Sequence, residues 1–360
     1  MTDCVEKNSV HVPVLLQEVI DFLNPDSQGI YVDGTLGGGG HTEAIVRRIQ
    51  TIRENSTLDR FTETVEQLGM VIAMDRDIAA INQTEKRLRQ IFGCEKTTGN
   101  DKSNKIVDEI LDKTSDRKSD GKLDRQWDSK FPIRFAHANY RHFDEVLDLL
   151  QIDKVDGFLL DLGLSSDQLL DGERGFSFSS SGFLDLRFDT TEGETAGDLL
   201  ERLREEEIAD IIYRFGEERY SRRIARAIVE RRNAGRPVRT ACELAELVRS
   251  RIPREQRSNT KKYSVNLDPA TRTFQALRIA VNDELGSLTS VLKTVAKRMN
   301  TNGVIVVISF HSLEDRIVKN AFRENPCWEI VTKKPVVPSE EEIKQNPRAR
   351  SAKLRAARKQ

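Results

Sequence analysis

The chain has few cysteines and pairs none of them in a C-x-x-C motif. Cys4, Cys94, Cys242 and Cys327 are scattered along 360 residues. That scatter argues against a zinc site or a disulfide framework and fits a reducing cytoplasm. Long hydrophobic runs are also missing. The longest apolar stretches are strand-sized, so no membrane span is expected. Met1 to Ser9 is polar and acidic and lacks the apolar core of a signal peptide. No His/Asp/Glu cluster has metal-ligand spacing, so no metal is expected. The G-x-S-x-G elbow, the Walker loop and the dinucleotide G-x-G-x-x-G are all absent. The last absence removes a nicotinamide dehydrogenase.

A formal net charge of −1 hides an uneven distribution. Residues 189–210 hold nine Asp/Glu against two Arg, and residues 213–262 hold fifteen Lys/Arg against six Glu. Residues 339–360 hold seven Lys/Arg against three Glu. Two basic blocks within a neutral total are the footprint of a protein that touches phosphates. Solvated helix faces laced with i,i+4 pairs give the same composition, and both readings stand at this point.

What is present is led by Tyr31-Val32-Asp33-Gly34-Thr35-Leu36-Gly37-Gly38-Gly39-Gly40-His41. An apolar run ends in an acid, a glycine-dense turn follows, and a helical pattern starts at Thr42. Strand, glycine turn and helix bring a ligand against bare backbone. The bland alternative is a flexible glycine loop. Further apolar runs at Val71–Asp75, Ile133–His137, Val155–Leu162 and Val304–Ser309 alternate with helical patterns such as Ile78–Ile91 and Asp283–Met299. This alternation predicts an α/β fold with a mostly parallel sheet covered on both faces. Polar insertions lengthen the chain at 51–64 and 95–130, the second with the composition of a disordered surface segment. From about 172 to 278 the pattern is helical, with Ala196–Phe215, Ser221–Asn233 and Cys242–Arg251 as predicted helices. The expected organisation is a sheet domain over 1–171 and 279–360, with a basic tail, and a helical domain inserted at 172–278.

In an open parallel sheet, ligands bind beyond the carboxyl ends of the strands. The predicted strands end there in Asp33, Asp75, His137, Asp161 and Ser309. Asp75 is placed to accept from ribose hydroxyls, or else to cap the helix near Ile78. Asp161 is followed by Gly163, Ser165, Ser166 and Gln168. An exocyclic amine is a poor nucleophile, because its lone pair is delocalised into the ring. It needs acceptors that hold its N–H groups and take up a proton. Asp161 with the Ser165 and Ser166 hydroxyls has that chemistry, and a turn whose side chains cap the next helix is the alternative. His311, in Ser309-Phe310-His311-Ser312-Leu313-Glu314-Asp315-Arg316, touches a base or phosphate, or caps a helix. His11 precedes a predicted helix and is weak evidence.

Together these motifs resemble the small-subunit ribosomal RNA cytosine-N4 methyltransferases, the family often called MraW or RsmH. The resemblance runs from His11-Val12-Pro13-Val14-Leu15-Leu16 through Asp33–His41, Leu159–Ser166 and Glu173–Phe178. It continues through Pro269-Ala270-Thr271-Arg272-Thr273-Phe274-Gln275-Ala276-Leu277-Arg278 to Ser309–Arg316 and the Lys333–Pro335 and Asn346–Arg355 segments. It implies a class I S-adenosylmethionine (SAM) methyltransferase fold, Rossmann-like, with an inserted helical domain for substrate recognition. It also implies N4 methylation of a cytidine in the decoding centre of 16S ribosomal RNA in the small subunit, with SAM as the cofactor. A homodimer is among the assemblies it allows. Carried over by motif, the cofactor contacts are Gly39, Gly40, His41, Asp75, Tyr140, Asp161 and Gln168, and the strand-to-turn reading adds Asp33, Gly37 and Gly38. The candidates for the catalytic end, from the residue chemistry above, are Asp161, Ser165, Ser166 and His311. The Tyr140 ring is suited to stack on adenine.

The chain departs from the family pattern at Phe183, Leu186 and Phe188, where proline and two methionines are usual. It departs again at Asp268, where histidine is usual before Pro-Ala-Thr-Arg. Two other readings remain open here: a class I methyltransferase acting on a different amine, and a ribosome-assembly factor that binds SAM without catalysis.

Overall fold

Side chains such as those of Ile72, Phe135 and Val306 are apolar on both sides of their runs, so both faces must be covered. The computed structural model describes residues 12–55, 69–94, 131–165, 168–169, 171–178, 180–253 and 268–360. His11, Ser166, the 95–130 insertion and residues 56–64 lie outside them. Five runs form β1 (Ile30–Asp33), β2 (Met70–Asp75), β3 (Ile133–His137), β4 (Val155–Asp161) and β5 (Met299–Ser309). They pair in parallel in the order β3-β2-β1-β4-β5.

Two further strands extend the sheet. β6 (Trp328–Ile330) and β7 (Lys353–Lys359) give the order β3-β2-β1-β4-β5-β7-β6, with β7 antiparallel to both neighbours. A mostly parallel sheet with one antiparallel strand inserted next to the edge is the class I methyltransferase arrangement. The basic tail is therefore not a tail over 353–359. Leu354, Ala356 and Ala357 are buried in the sheet, and the Arg355 guanidinium, 8 % exposed, donates to Asp315 Oδ1 at 2.6 Å. Lys-Leu-Arg-Ala-Ala-Arg-Lys has little strand propensity. The open edge of β5 supplies the ladder that selects it.

The strand alternation divides the core. Tyr31, Val71, Phe135, Leu159 and Val306 face one way, against Val19 of α1 (Leu16–Leu23), Ile45 and Ile49 of α2 (Gly40–Asn55), and Ile81 and Leu88 of α3 (Ile78–Ile91). Val32, Ile72, Phe158, Leu160 and Ile305 face the other way. They meet Phe143 of α4 (Phe143–Leu149), together with Leu288, Val291 and Val295. Each such fully buried side chain contributes roughly 1.5–3 kcal/mol relative to exposure. No helix among the described residues is long and apolar enough to cross a membrane.

The chain divides into two compact units, 1–163 with 287–360, and 164–286. The second unit is helical: α5 (Ala196–Arg202), α6 (Glu205–Gly216), α7 (Ser221–Asn233), α8 (Ala241–Arg251) and α9 (Thr271–Asn282). Its core includes Leu184, Leu186, Ile212, Ile224, Leu244 and Phe274. The single helix expected over 196–215 is two, because Leu203 and Arg204 are extended, with ψ of 150° and 162°. Arg232 Nη1 donates to the carbonyls of Leu200, Glu201 and Leu203 at that break, satisfying acceptors that a helix end leaves open. In the altered 183–188 segment Phe183 is 40 % exposed, while Leu184 is fully buried. Leu186 is buried in spite of φ 61°, held by Asn282 Nδ2 on its carbonyl at 2.7 Å. Phe188 stacks on Phe176 with ring centroids 6.0 Å apart. Asp268 accepts from Arg249, so this departure is absorbed by an ion pair within the helical unit.

Candidate active site

The glycine turn leaves β1 and crosses the end of β2, where Leu36 N–H donates to the Met74 carbonyl at 2.8 Å. Gly37 N–H donates to Asp75 Oδ2 at 2.8 Å. The turn's carbonyls are fixed from α3. Thr84 Oγ1 donates to Gly37 O at 2.7 Å, and Arg87 Nη2 donates to Gly38 O at 2.8 Å. Gly39 has φ 73°, and a Cβ there would lie 2.4 Å from Thr84 Cγ2. Both the backbone conformation and the space require glycine. The loop is therefore held in place and is not a flexible tether.

Asp75 is half-buried at the end of β2. Its other oxygen, Oδ1, accepts from Asp77 N–H at 2.8 Å. The cap of α3 is Asp77, whose carboxylate accepts from the Ala79 and Ala80 amides. Asp75 is free of that duty, and burial pushes its carboxyl above the usual range.

Asp33 is placed differently from the sequence expectation. It is 1 % exposed, and both oxygens are used inside the turn. Oδ1 accepts from Thr35 N–H at 3.1 Å, and Oδ2 accepts from Thr42 Oγ1 at 2.7 Å. Asp33 builds the loop and presents no carboxylate to a ligand. Burial pushes its pKa up to about 6, against the hydrogen bonds from Thr42 and Thr35.

Asp161 closes β4, and its amide donates to Thr35 Oγ1 at 2.6 Å. The side chain is 16 % exposed, and its buried Oδ1 has no hydrogen-bond partner among the described residues. Oδ2 lies 3.7 Å from His41 Nδ1 on the first turn of α2. Burial, then the Asp33 and Glu314 carboxylates, push the Asp161 carboxyl well above the usual range. An orphaned carboxylate oxygen beside other carboxylates is a place that favours a cation or a hydrogen-bond donor. The sulfonium and ammonium groups of SAM fit that requirement, and the fixed glycine turn leaves room for backbone approach.

His311 is the N-cap of α10 (Ser312–Glu324). Glu314 N–H approaches its Nδ1 at 3.4 Å, and Glu314 Oε2 accepts from the amides of Phe310 and His311 at 2.9 and 3.3 Å. Of the two readings of His311, the structure gives the helix cap. Tyr140 opens a short 3-10 turn after β3, with its Cβ 3.0 Å from where a Cβ on Gly34 would lie.

Ser165 and Gln168 belong to the helical unit. Gln168 N–H donates to Ser165 Oγ, and Ser165 N–H donates to Gln168 Oε1, both at 3.1 Å. This reciprocal pair caps the following turn, so Ser165 takes the capping alternative. The sequence reading missed Thr35 and Thr42. A threonine two residues after a strand-end acid, and another at the start of the next helix, was the available signal.

The family model described as the MraW methylase family matches residues 8–124 and 112–360. A protein of Rhodopirellula baltica called "Ribosomal RNA small subunit methyltransferase H" is 41 % identical over 350 residues, covering 97 % of this chain and 91 % of its own. Its namesake in Sorangium cellulosum is 42 % identical over 349 residues, covering 97 % and 90 %. That of Kosmotoga olearia is 40 % identical over 353 residues, covering 97 % of each. Agreement of this extent, together with the topology and the fixed glycine turn, identifies the chain as a member of the MraW methylase family, whose members are SAM-dependent methyltransferases.

Proposed function

We propose that this chain methylates the exocyclic N4 of one cytidine in the decoding centre of 16S ribosomal RNA, with the small ribosomal subunit as its substrate. The observation that carries the reading is the Asp161 carboxylate at the end of β4, whose buried Oδ1 is unpartnered among the described residues. It stands in a chain whose relatives are named as small-subunit ribosomal RNA methyltransferases. SAM supplies the methyl group on a sulfonium. Gly39, Gly40, His41, Asp75, Tyr140 and Gln168 hold it, by the family motif. Asp161 accepts an N–H of the amine, orients the nitrogen towards the methyl group and takes its proton. A cytidine must leave its stack to reach such a group, which costs least where it is already unpaired.

The helical unit holds the RNA. Its basic block is only partly available for phosphate. Arg214 pairs with Asp210, Arg226 with Glu205, Arg231 with Glu243 and Arg239 with Glu201. Arg222 and Arg223, exposed on the first turn of α7, are the phosphate contacts in this reading. Ribosomal substrate places the enzyme in the cytoplasm.

The test is incubation with methyl-labelled SAM and small subunits lacking the modification, followed by digestion and identification of the labelled nucleoside. N4-methylcytidine at one decoding-centre position is expected. Label in any other nucleoside overturns the substrate assignment. Binding of SAM and subunits with no label overturns the catalytic reading in favour of an assembly factor.

A further inference from the structure

His41 is held by the backbone on one side and faces the catalytic carboxylate on the other. Its Nε2 lies 3.0 Å from the Val14 carbonyl. A carbonyl oxygen only accepts, so Nε2 carries the hydrogen and the proton that comes and goes sits on Nδ1. Nδ1 is the atom 3.7 Å from Asp161 Oδ2. The Val14 carbonyl is itself fixed. Leu15, at φ 52°, donates its amide to Glu342 Oε1 at 2.7 Å. Asn346 Nδ2 donates to Val12 O at 3.2 Å. A Cβ on Gly40 would lie 2.9 Å from Pro13 Cγ. A strained strap pinned by the C-terminal segment therefore sets which ring nitrogen meets Asp161.

We propose that His41 and Asp161 form one shared site for the proton shed by the acceptor nitrogen. The inference rests on the amine-methylation reading above. In that reaction the nitrogen–carbon bond forms while the carbon–sulfur bond breaks. The bonding pair stays on sulfur, which leaves as a neutral thioether. The nitrogen then carries one proton too many, and this proton passes to Asp161 and, as the 3.7 Å between Oδ2 and His41 Nδ1 closes to hydrogen-bond distance, on to Nδ1 until solvent takes it. Among the described residues, the groups facing Asp161 from the packed elements are Asp33 on β1, Glu314 on α10 and His41 on α2. Of these only His41 contributes a nitrogen that becomes cationic. With two carboxylates pressing on it, Asp161 alone would keep a captured proton; the imidazole gives that proton a second seat and a way out.

Two measurements test this on the full chain. Nitrogen-15 NMR of the imidazoles, in protein without cofactor, reads the tautomer and titration of His41; the chain has five histidines, so assignment by substitution is tractable. The expected result is an Nε2–H tautomer whose titration midpoint falls in Asp161→Asn, since a facing carboxylate raises it. An identical titration in both proteins overturns the shared site, whatever nucleoside the wild type methylates. The second is the pH profile of kcat at saturating SAM. His41→Gln keeps an amide donor for Val14 O and removes the group facing Asp161. The acid limb should move to lower pH and the plateau should drop about tenfold or more, with KM for SAM moving less. An unchanged limb with only KM altered makes His41 a plain cofactor contact. Glu342→Ala, which loosens the strap from outside the site, should shift the limb in the same direction by less, and no shift at all removes the strap from the proposal.

Discussion

The ends of β1 and β4 look alike in the sequence, and the structure treats them in opposite ways. Asp33 and Asp161 each close a buried parallel strand, and both carboxyls are pushed up chiefly by burial. Asp33 spends both oxygens on Thr35 and Thr42. Asp161 keeps Oδ1 without a partner among the described residues. A buried carboxylate with its bonds made shapes a loop. One left short of a bond is a cost to the fold, retained where something else is to fill it. The difference separates the residue that builds the site from the residue that works in it.

The largest effect expected from breaking this comparison is on rate. Asp161→Asn should lower kcat by ~10²–10⁴, the range for losing a positioned acid–base group. SAM affinity by calorimetry should change far less. A variant with full rate would remove Asp161 from the chemistry.

Asp33→Asn should act on stability. The folded-state pKa of Asp33, about 6, lies above the unfolded value of 3.8. A raised pKa means stability present at low pH and lost as pH rises from about 4 through about 6. At pH 7.5 the ionised, buried Asp33 therefore costs up to about 3 kcal/mol, from two pKa units at 1.36 kcal/mol each. Asparagine removes that cost, so the variant should unfold at higher temperature than wild type at pH 7.5. The gap should close by pH 4, and thermal unfolding across pH 4–8 reads it directly. A variant less stable at every pH would show that the Thr42 and Thr35 bonds outweigh the charge.

The glycine turn can be compared with a turn in the helical unit. Gly39 and Gly235 have nearly equal φ, 73° and 72°, but a Cβ meets Thr84 at 2.4 Å in the first case and nothing within 4 Å in the second. Gly235→Ala should cost about 1–2 kcal/mol for the backbone alone. Gly39→Ala should cost more and also weaken SAM binding, and equal melting temperatures would show that the loop yields.

The smallest effects concern the arginines. Arg232→Ala leaves three carbonyls short of a donor and should cost about 1–3 kcal/mol. Arg222→Ala should stay within about 0.5 kcal/mol in stability. It should instead flatten the salt dependence of RNA binding by about one unit of slope.

The five parallel strands were legible because a strand buried on both faces must be apolar throughout, and few other segments of this chain are. The predicted helices Ile78–Ile91 and Ser221–Asn233 appear with those bounds, each carrying a clear apolar face. The break at Leu203 was not legible. Nothing local forbids a continuous helix there, and the donor that closes the first one comes from Arg232, thirty residues away in the sequence. For the same reason the basic block read as phosphate-binding while Arg214, Arg226, Arg231, Arg239 and Arg249 pair internally: charge is visible in a sequence, and the partner across a helix pair is not.

The sequence by itself determined the sheet's parallel core, the glycine turn and the acids at the strand ends, because these depend on residue type at short range. The tertiary structure decided β7, where an alanine-rich segment becomes a strand only because β5 offers an open edge. It also decided which acid is satisfied. Asp33 finds its donors within nine residues, in its own turn. Asp161 is brought to His41 across 120 residues of chain, and only folding sets that distance.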